Sequence, residues 1–166
     1  MVFSSTTELV VQGFEGFESI ASLIQSNCKR VSEKRGVYCV IRTTISAPQF
    51  IHPSNAGQFK QKNPTVSVER LKKHWVESAI ILYIGKSGST TNKRTLKKRL
   101  CEFMNFGNGQ PVGHWGGRFI WQLADSNNLQ ICWKPTLDEE PIDVERRLII
   151  EFKEVYGKRP FANLRS

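Results

Sequence analysis

Two short apolar runs, at residues 36–42 and 79–84, have the β-branched and aromatic content that is typical of buried strands. Glycine or charged residues bound each run, so each strand is expected to be short. Because successive side chains of a strand point to opposite faces, Tyr38 and Tyr83 can stand side by side if the two runs pair. The pattern therefore predicts a small sheet that carries two tyrosines, with Lys86 just beyond the glycine that follows the second run.

Helical periodicity predicts the elements around this sheet. Apolar residues at helical spacing indicate four helices, at about residues 17–26, 68–76, 95–106 and 141–156. Residues 129–133 predict a third strand, whereas residues 119–123 fit a strand and a short helix equally well. The expected fold class is α/β in the broad sense (α+β): a small, mostly antiparallel sheet of about three strands flanked by helices.

The chain is expected to form one main domain with an N-terminal extension. Residues 1–34 would make the extension, with one short helix, and residues 35–166 the domain. A segment at about 44–78, punctuated by proline, glycine and asparagine, is too long for a hairpin loop and is interpreted as an insertion. The basic residues of this insertion fit a solvated surface at least as well as a nucleic-acid contact.

The net charge favours a polyanionic partner. Among 166 residues, 24 Lys and Arg against 15 Asp and Glu give a formal charge of +9. This balance suggests nucleic acid before membrane, although the same charge can serve solubility alone. No apolar run reaches the roughly 18–20 residues of a membrane span, and the first residues lack the pattern of a signal peptide. We therefore expect a soluble cytoplasmic protein with no membrane partner.

Two charged residues occupy unusual positions on the predicted helices. Glu145 precedes Leu148 and Ile149 by three and four residues, so its carboxylate begins the apolar face of the last helix. An inward carboxylate is costly unless it is paired, metal-bound or protonated, but a place near the helix start also allows contact with water and the helix dipole. Arg99 lies at the edge of another apolar stripe, one turn from Phe103, where it can reach a cleft or remain on the surface.

Three other sequence patterns bear on which kinds of functional site the chain can contain. The glycine-rich segment 107–118, which contains His114, can approach a phosphate closely or serve as a flexible connector. Gly85-Lys86-Ser87 follows a strand but is not a P-loop, because position 80 is isoleucine where that motif needs glycine. The four cysteines include no CxxC pair, which argues against a zinc knuckle and a disulfide framework.

Taken in order, several of these residues resemble the motifs of the GIY-YIG nuclease superfamily. Gly36-Val37-Tyr38 is similar to the first signature, with valine for isoleucine, and Tyr83-Ile84-Gly85 matches the second. Arg99 looks like the family's arginine on the following helix, Glu145 like its metal-binding glutamate, and Asn163 like its C-terminal asparagine. The similarity covers roughly residues 35–166.

This resemblance implies a divalent-metal-dependent DNA endonuclease, compatible with restriction, phage or mobile-element functions, or repair. The implied catalytic residues are Tyr38, Tyr83, Lys86, Arg99, Glu145 and Asn163. Glu145 would bind Mg²⁺ (or Mn²⁺), Lys86 and Arg99 would neutralise the phosphate, and Asn163 would brace the site. Tyr83 would hydrogen-bond water or phosphate. Tyr38 would be general base or orient water, with nearby positive charge favouring its phenolate.

The chain also departs from the family. The two signatures are further apart than in compact members, and Phe103 stands where some members have His or Tyr. The role of that residue either falls to another residue, for which His114 is the candidate, or is absent. The expected partner is DNA, bound by a monomer or homodimer. The predicted DNA-binding residues are Lys93, Arg94, Lys97, Lys98 and Arg118. Alternatives are a non-catalytic nucleic-acid-binding module that retains the fold, and a structural or interaction subunit.

Overall fold

A computed structural model of the chain describes residues 3–165. Its α-helices are α1 (Thr6–Val11), α2 (Ile20–Gln25), α3 (Val68–His74), α4 (Leu96–Gly107) and α5 (Pro141–Tyr156). Its strands are β1 (Glu15–Ser19), β2 (Gly36–Ile41), β3 (Ile81–Ser87) and β4 (Gln130–Pro135), and two 3₁₀ helices cover Trp115–Gln122 and Ser126–Asn128. None of these described helices is long and apolar enough to cross a bilayer.

The strands form one antiparallel sheet in the order β1, β4, β2, β3. In the central strand β2, Tyr38 lies opposite Gly85 of β3 on one side and Trp133 of β4 on the other. The mixed α/β class and the antiparallel sheet with flanking helices are confirmed. Within residues 3–165, however, the sheet has four strands where about three were expected.

The additional strand, β1, comes from the N-terminal extension. Its residues do not alternate between apolar and polar, and its pairing with β4 is interrupted by a bulge between Gly16 and Glu18. Gly16 and Phe17 both have positive φ, so the local backbone is not that of a regular strand. Phe17, expected on a helix, lies in this strand, and α2 begins only at Ile20, after the Ser19 cap.

A hydrophobic core lies on each face of the sheet. On one face, residues of β2 such as Val37 and Cys39 pack with α5 and with the N-terminal residues Phe3 and Leu9. On the other face, which we call the α4 face, Tyr38 packs with residues of α2, α4 and the longer 3₁₀ helix. Both signature tyrosines project to the α4 face, with ring centroids 6.0 Å apart, as the alternation of the two runs predicts.

Strand β3 departs from strict alternation of its side chains because it contains a bulge. Val40 pairs with Tyr83 and Ile41 with Ile81, so Leu82 is the extra residue. Ile81 therefore packs on the opposite face of the sheet, in the core that contains α5, although an uninterrupted strand would put it on the same face as Tyr83.

The insertion packs on the α4 face instead of extending into solvent. The Gln122 carboxamide accepts a hydrogen bond from the Val66 backbone at 2.8 Å and donates to the carbonyls of Ile51 and Val66 at 3.0 and 2.9 Å. Leu71 of α3 is fully buried in the same core. These contacts hold α3 beside the longer 3₁₀ helix.

Candidate functional site

A cleft of about 360 Å³ opens at the end of β3. Its walls come from β3 and the loop after it, from α4 and from α5. The lining residues are Tyr83, Lys86, Ser87, Gly88, Ser89, Asn92, Arg94, Arg99 and Glu145. Four of the predicted catalytic residues, which come from three separate elements of the chain, therefore share one cleft.

The starts of two helices set the positions of Arg99 and Glu145. Helix α4 begins after Thr95, whose hydroxyl accepts a hydrogen bond from the Lys98 backbone at 3.1 Å. Helix α5 begins at Pro141, whose fixed φ suits the first turn. Arg99 and Glu145 each lie about one turn into their helix, so both local start signals direct charged side chains to the cleft.

Glu145 is half-buried in the wall of this cleft. Burial raises the pKa of its carboxyl, and the positive charges of Lys86, Arg99 and Arg146 only partly oppose this effect. Within residues 3–165, the carboxylate forms no hydrogen bond and no ion pair at contact distance. The geometry therefore favours an inward carboxylate that is open to a ligand in the cleft.

Arg99 and Lys86 surround this carboxylate with positive charge. The Arg99 Nη1 donates to the carbonyl of Gly113 at 2.9 Å and lies 3.8 Å from a carboxylate oxygen of Glu102. These contacts occupy Nη1, and the guanidinium also lies close enough to the Tyr38 hydroxyl to lower the pKa of that group. Arg99 is thus held in place while it keeps donors for an anion.

Tyr38 lies behind the cleft and is not one of its lining residues. The side chain is fully buried, and its hydroxyl oxygen is 2.8 Å from Nε2 of His114. Burial raises the pKa of Tyr38 well above its ordinary value, and the neighbouring Tyr83 raises it further, while Arg99 opposes both. The expected phenolate is therefore wrong for the protein by itself, because desolvation outweighs the nearby positive charge.

His114 comes from the glycine-rich segment and joins the two tyrosines. Its ring stacks on Phe103, with centroids 4.3 Å apart and planes inclined by 24°. Burial and the charge of Arg99 hold the pKa of this imidazole well below its usual value, so the ring is neutral. Position 103 itself carries no histidine, but a histidine from another segment lies directly against it.

Gly85 is required for this tyrosine cluster. It lies opposite Tyr38 in the pairing of β2 with β3. A Cβ atom at position 85 would be 2.4 Å from Cζ and 2.5 Å from the hydroxyl oxygen of Tyr38. Gly85 therefore has a packing reason: it makes room for Tyr38.

Asn163 braces β3 from the C-terminal segment. Its Oδ1 accepts a hydrogen bond from the backbone N–H of Ile84 at 2.9 Å, and its Nδ2 donates to the Ile84 carbonyl at 2.8 Å. The side chain is only 8% exposed. Because Ile84 lies between Tyr83 and Gly85, this pair of bonds fixes the backbone at the centre of the site.

We expect Asn163→Ala to lower the free energy of unfolding by about 2–4 kcal/mol, because it leaves a buried N–H and a buried carbonyl of Ile84 without partners. Urea denaturation measures the change. The matched control is Asn127→Ala, since Asn127 is an exposed asparagine. Equal stability of the two variants would show that the bonds to Ile84 do not stabilise the strand.

The predicted DNA-binding residues lie in two places. A second cleft is lined by Asn92, Lys93, Arg94, Thr95 and Lys98, and it shares Asn92 and Arg94 with the first. Lys97, on the same helix, pairs with Glu33 at 3.5 Å. Arg118 is elsewhere, in the longer 3₁₀ helix. Three of the five residues, Lys93, Arg94 and Lys98, therefore line one cleft beside the first.

Sequence reasoning missed the residues that hold the loop between these two clefts. The Glu140 carboxylate accepts a hydrogen bond from the Thr90 backbone at 3.0 Å and pairs with Arg35 at 3.2 Å. Arg35 also donates to the carbonyl of Thr136 at 3.2 Å. The available signal was the acidic run 138–140, which by itself predicts only the start of a helix.

The geometry of this chain is the basis for assigning its function. Tyrosines, a lysine, an arginine and a glutamate converge from separate segments, with a histidine behind them. In comparisons with protein-family models, with curated proteins and with solved structures, no match to this chain was found.

Proposed function

We propose that the protein is a divalent-metal-dependent DNA endonuclease that hydrolyses phosphodiester bonds and is related to the GIY-YIG nucleases. The observation that carries the proposal is the cleft shared by Tyr83, Lys86, Arg99 and Glu145. The antiparallel pairing of the two signature strands supports the same relationship. The net charge of +9 suits a polyanionic substrate.

The cleft fits a hard divalent cation that takes few ligands from the protein. Within residues 3–165, no three His, Cys, Asp or Glu side chains come together as a metal cage, so Glu145 would be the protein ligand. Mg²⁺ suits such a site because it keeps several waters and accepts phosphate oxygens. The half-buried carboxylate of Glu145, with no contact partner in the described chain, supplies the required donor. When bound, Mg²⁺ or Mn²⁺ would stabilise charge on the scissile phosphate and the leaving oxygen.

Arg99 and Lys86 bind and neutralise the phosphoryl oxygens. The guanidinium of Arg99 presents donors in a planar fork that matches two phosphate oxygens, and its contact with the Gly113 carbonyl holds it in position. Lys86 adds a point charge from the end of β3. Donors fixed before the reaction stabilise developing charge without having to reorganise.

Tyr83 orients the attacking water. It lines the cleft, and burial raises its pKa, so at neutral pH it is a neutral hydroxyl that can donate or accept a hydrogen bond. Tyr38 supports it from behind, where the bond to His114 fixes the Tyr38 hydroxyl. Asn163 holds the backbone between Tyr83 and Gly85. The two tyrosines thus act by position and not as phenolates.

Glu145 also distinguishes the enzyme from a binding module with the same fold. A protein that only binds nucleic acid gains nothing from a carboxylate in a phosphate-binding cleft, because two negative groups repel each other where solvent is partly excluded. A divalent cation held by Glu145 would remove this conflict, because it would supply the opposite charge. The placement of Glu145 in one cleft with Lys86 and Arg99 therefore favours metal-dependent hydrolysis over binding alone.

We expect the protein to nick or cut supercoiled plasmid DNA in Mg²⁺ or Mn²⁺, and Arg99→Ala to slow this reaction by about 10²–10³-fold, as removal of a transition-state donor does. Gel electrophoresis over a time course measures the rate. Lys153→Gln is the matched control, since it removes one exposed positive charge from the far end of α5.

EDTA is expected to stop cleavage by the wild-type protein. Cleavage that persists in EDTA would refute the role of the metal. Tight DNA binding without cleavage in any divalent cation would favour the binding module instead.

A further inference from the structure

Two arginines from separate segments flank one buried aromatic ring outside the cleft, and a third lies close enough to repel one of them. Arg70 lies on α3, Arg118 in the longer 3₁₀ helix, and Arg165 near the end of the chain. The guanidinium carbons of Arg70 and Arg118 are 5.4 and 5.5 Å from the ring centroid of the same buried Phe119. Burial lowers the pKa of Arg118, and the positive charges of Arg70 and Arg165 lower it further, so Arg118 is repelled by both. We call these residues the arginine triad.

No acidic side chain neutralises the triad within the described part of the chain. Glu and Asp residues form ion pairs with other arginines, namely Arg30, Arg35, Arg42, Arg94, Arg99, Arg146 and Arg147, but with none of these three. Clustered like charges destabilise the folded chain unless a counter-charge binds. The cluster is therefore built to favour an anion from outside the protein.

Aromatic stacking holds two members of the triad, Arg70 and Arg118, in position. The guanidinium of Arg118 lies 4.7 Å from the ring centroid of Trp115 and donates to the Trp115 carbonyl at 3.3 Å. Arg70 stacks on Phe119, as described above. A stacked guanidinium keeps its N–H donors at the edge of its plane, where they match the oxygens of a phosphate. The triad thus has the chemistry of a phosphate site, and its two stacked members, Arg70 and Arg118, lose little side-chain entropy on binding.

Two short segments connect the triad to the catalytic cleft. Arg118 lies two residues after Gly116. Gly116 is close to Tyr83, because a Cβ atom at position 116 would be 3.2 Å from the Tyr83 hydroxyl. Arg165 follows Asn163, which is bonded to Ile84 beside Tyr83. A nucleic-acid strand with one phosphate in the cleft therefore has further phosphates near this surface.

We infer that the arginine triad is a second phosphate site, which binds the DNA backbone next to the phosphate in the catalytic cleft. This inference rests on the proposed function. It also gives the insertion a role in substrate binding, through Arg70 of α3. Because the triad contacts the backbone outside the cleft, it contributes to affinity equally in the ground state and in the transition state.

Fluorescence anisotropy with a short labelled DNA duplex in EDTA tests the site across a series of salt concentrations. Replacing all three arginines by glutamine is expected to weaken binding about tenfold or more, and to reduce the slope of log K against log salt by about one for each phosphate that the variant no longer binds. Each single arginine-to-glutamine variant is expected to weaken DNA binding less than the triple variant does. Lys153→Gln, which removes a charge from α5, is expected to leave both quantities unchanged.

Cleavage kinetics supply the second readout. The triple variant is expected to raise KM with kcat nearly unchanged, whereas Arg99→Ala lowers kcat. If the triple variant binds and cleaves DNA as the wild type does while Arg99→Ala is inactive, the second site is refuted and the proposed function stands. If the wild-type protein binds no DNA at all, the second phosphate site and the proposed function are both refuted.

Discussion

Replacement of Glu145 by glutamine is expected to abolish DNA cleavage, by about 10³-fold or more, while slightly stabilising the protein. The loss follows because Glu145 is the one carboxylate among the residues that line the cleft, and removing it removes the metal ligand and several kcal/mol of transition-state stabilisation. The gain in stability follows because partial burial desolvates the charged carboxylate, and this desolvation costs free energy. A neutral amide of the same shape avoids that cost.

The direction of the pH dependence follows from the raised pKa of Glu145. The folded protein holds the proton of the Glu145 carboxyl more tightly than the unfolded chain does. The stabilisation that comes from binding this proton is therefore complete below the ordinary carboxyl pKa. It is lost as the pH rises through the higher pKa of the folded state. The wild type and Glu145→Gln should therefore differ most near neutral pH and converge in acid. A proton and a metal ion compete for this carboxylate, so metal-dependent activity should fall toward acid pH.

Plasmid cleavage and thermal unfolding at several pH values measure both effects. The gain in Tm near neutral pH is expected to be about 1–3 °C, corresponding to less than about 1 kcal/mol. Glu154→Gln, an exposed position on the same helix, is the control. A Glu145→Gln protein that cleaves within tenfold of the wild type, or that is less stable than Glu154→Gln, would contradict the role of this carboxylate.

Substitution of Gly85 by alanine is expected to lower the free energy of unfolding by about 3 kcal/mol and to eliminate cleavage. The added methyl group would lie 2.4–2.8 Å from three atoms of the Tyr38 side chain, and Tyr38 cannot move away because its ring is fully buried between the sheet and α4. Either the ring or the backbone of β3 has to shift, and both options strain a packed core.

A double-mutant cycle identifies the cause of this destabilisation. Tyr38→Phe keeps the two ring carbons that clash, so it should not rescue Gly85→Ala, whereas Tyr38→Val removes the ring and should recover part of the stability that Gly85→Ala removes. Urea denaturation of the single and double variants gives the coupling energy. Gly113→Ala is the control, since its Cβ would meet only Phe59 at the ordinary distance of 3.5 Å. If the effects of Gly85→Ala and Tyr38→Val are simply additive, the clash is not the reason for the glycine.

The sequence by itself determined the local elements and much of the candidate site. Two apolar runs with glycine boundaries predicted β2 and β3, and their alternation put both tyrosines on one face. The cap at Thr95 and the proline at position 141 located the starts of α4 and α5, and with them Arg99 and Glu145. These features depend on neighbours within a few residues, so periodicity and capping chemistry are sufficient to predict them.

Only the tertiary structure decided the features that depend on desolvation or on distant partners. Strand β1 exists because β4 offers a pairing edge, although the sequence of β1 is irregular. Tyr38 is neutral because burial outweighs the charge of Arg99, and His114 reaches Phe103 from a loop with no periodic signal. The arginine triad joins segments that are far apart in the chain. A side chain's burial and its long-range neighbours are set by the packing of the whole fold, and no local pattern in the sequence records them.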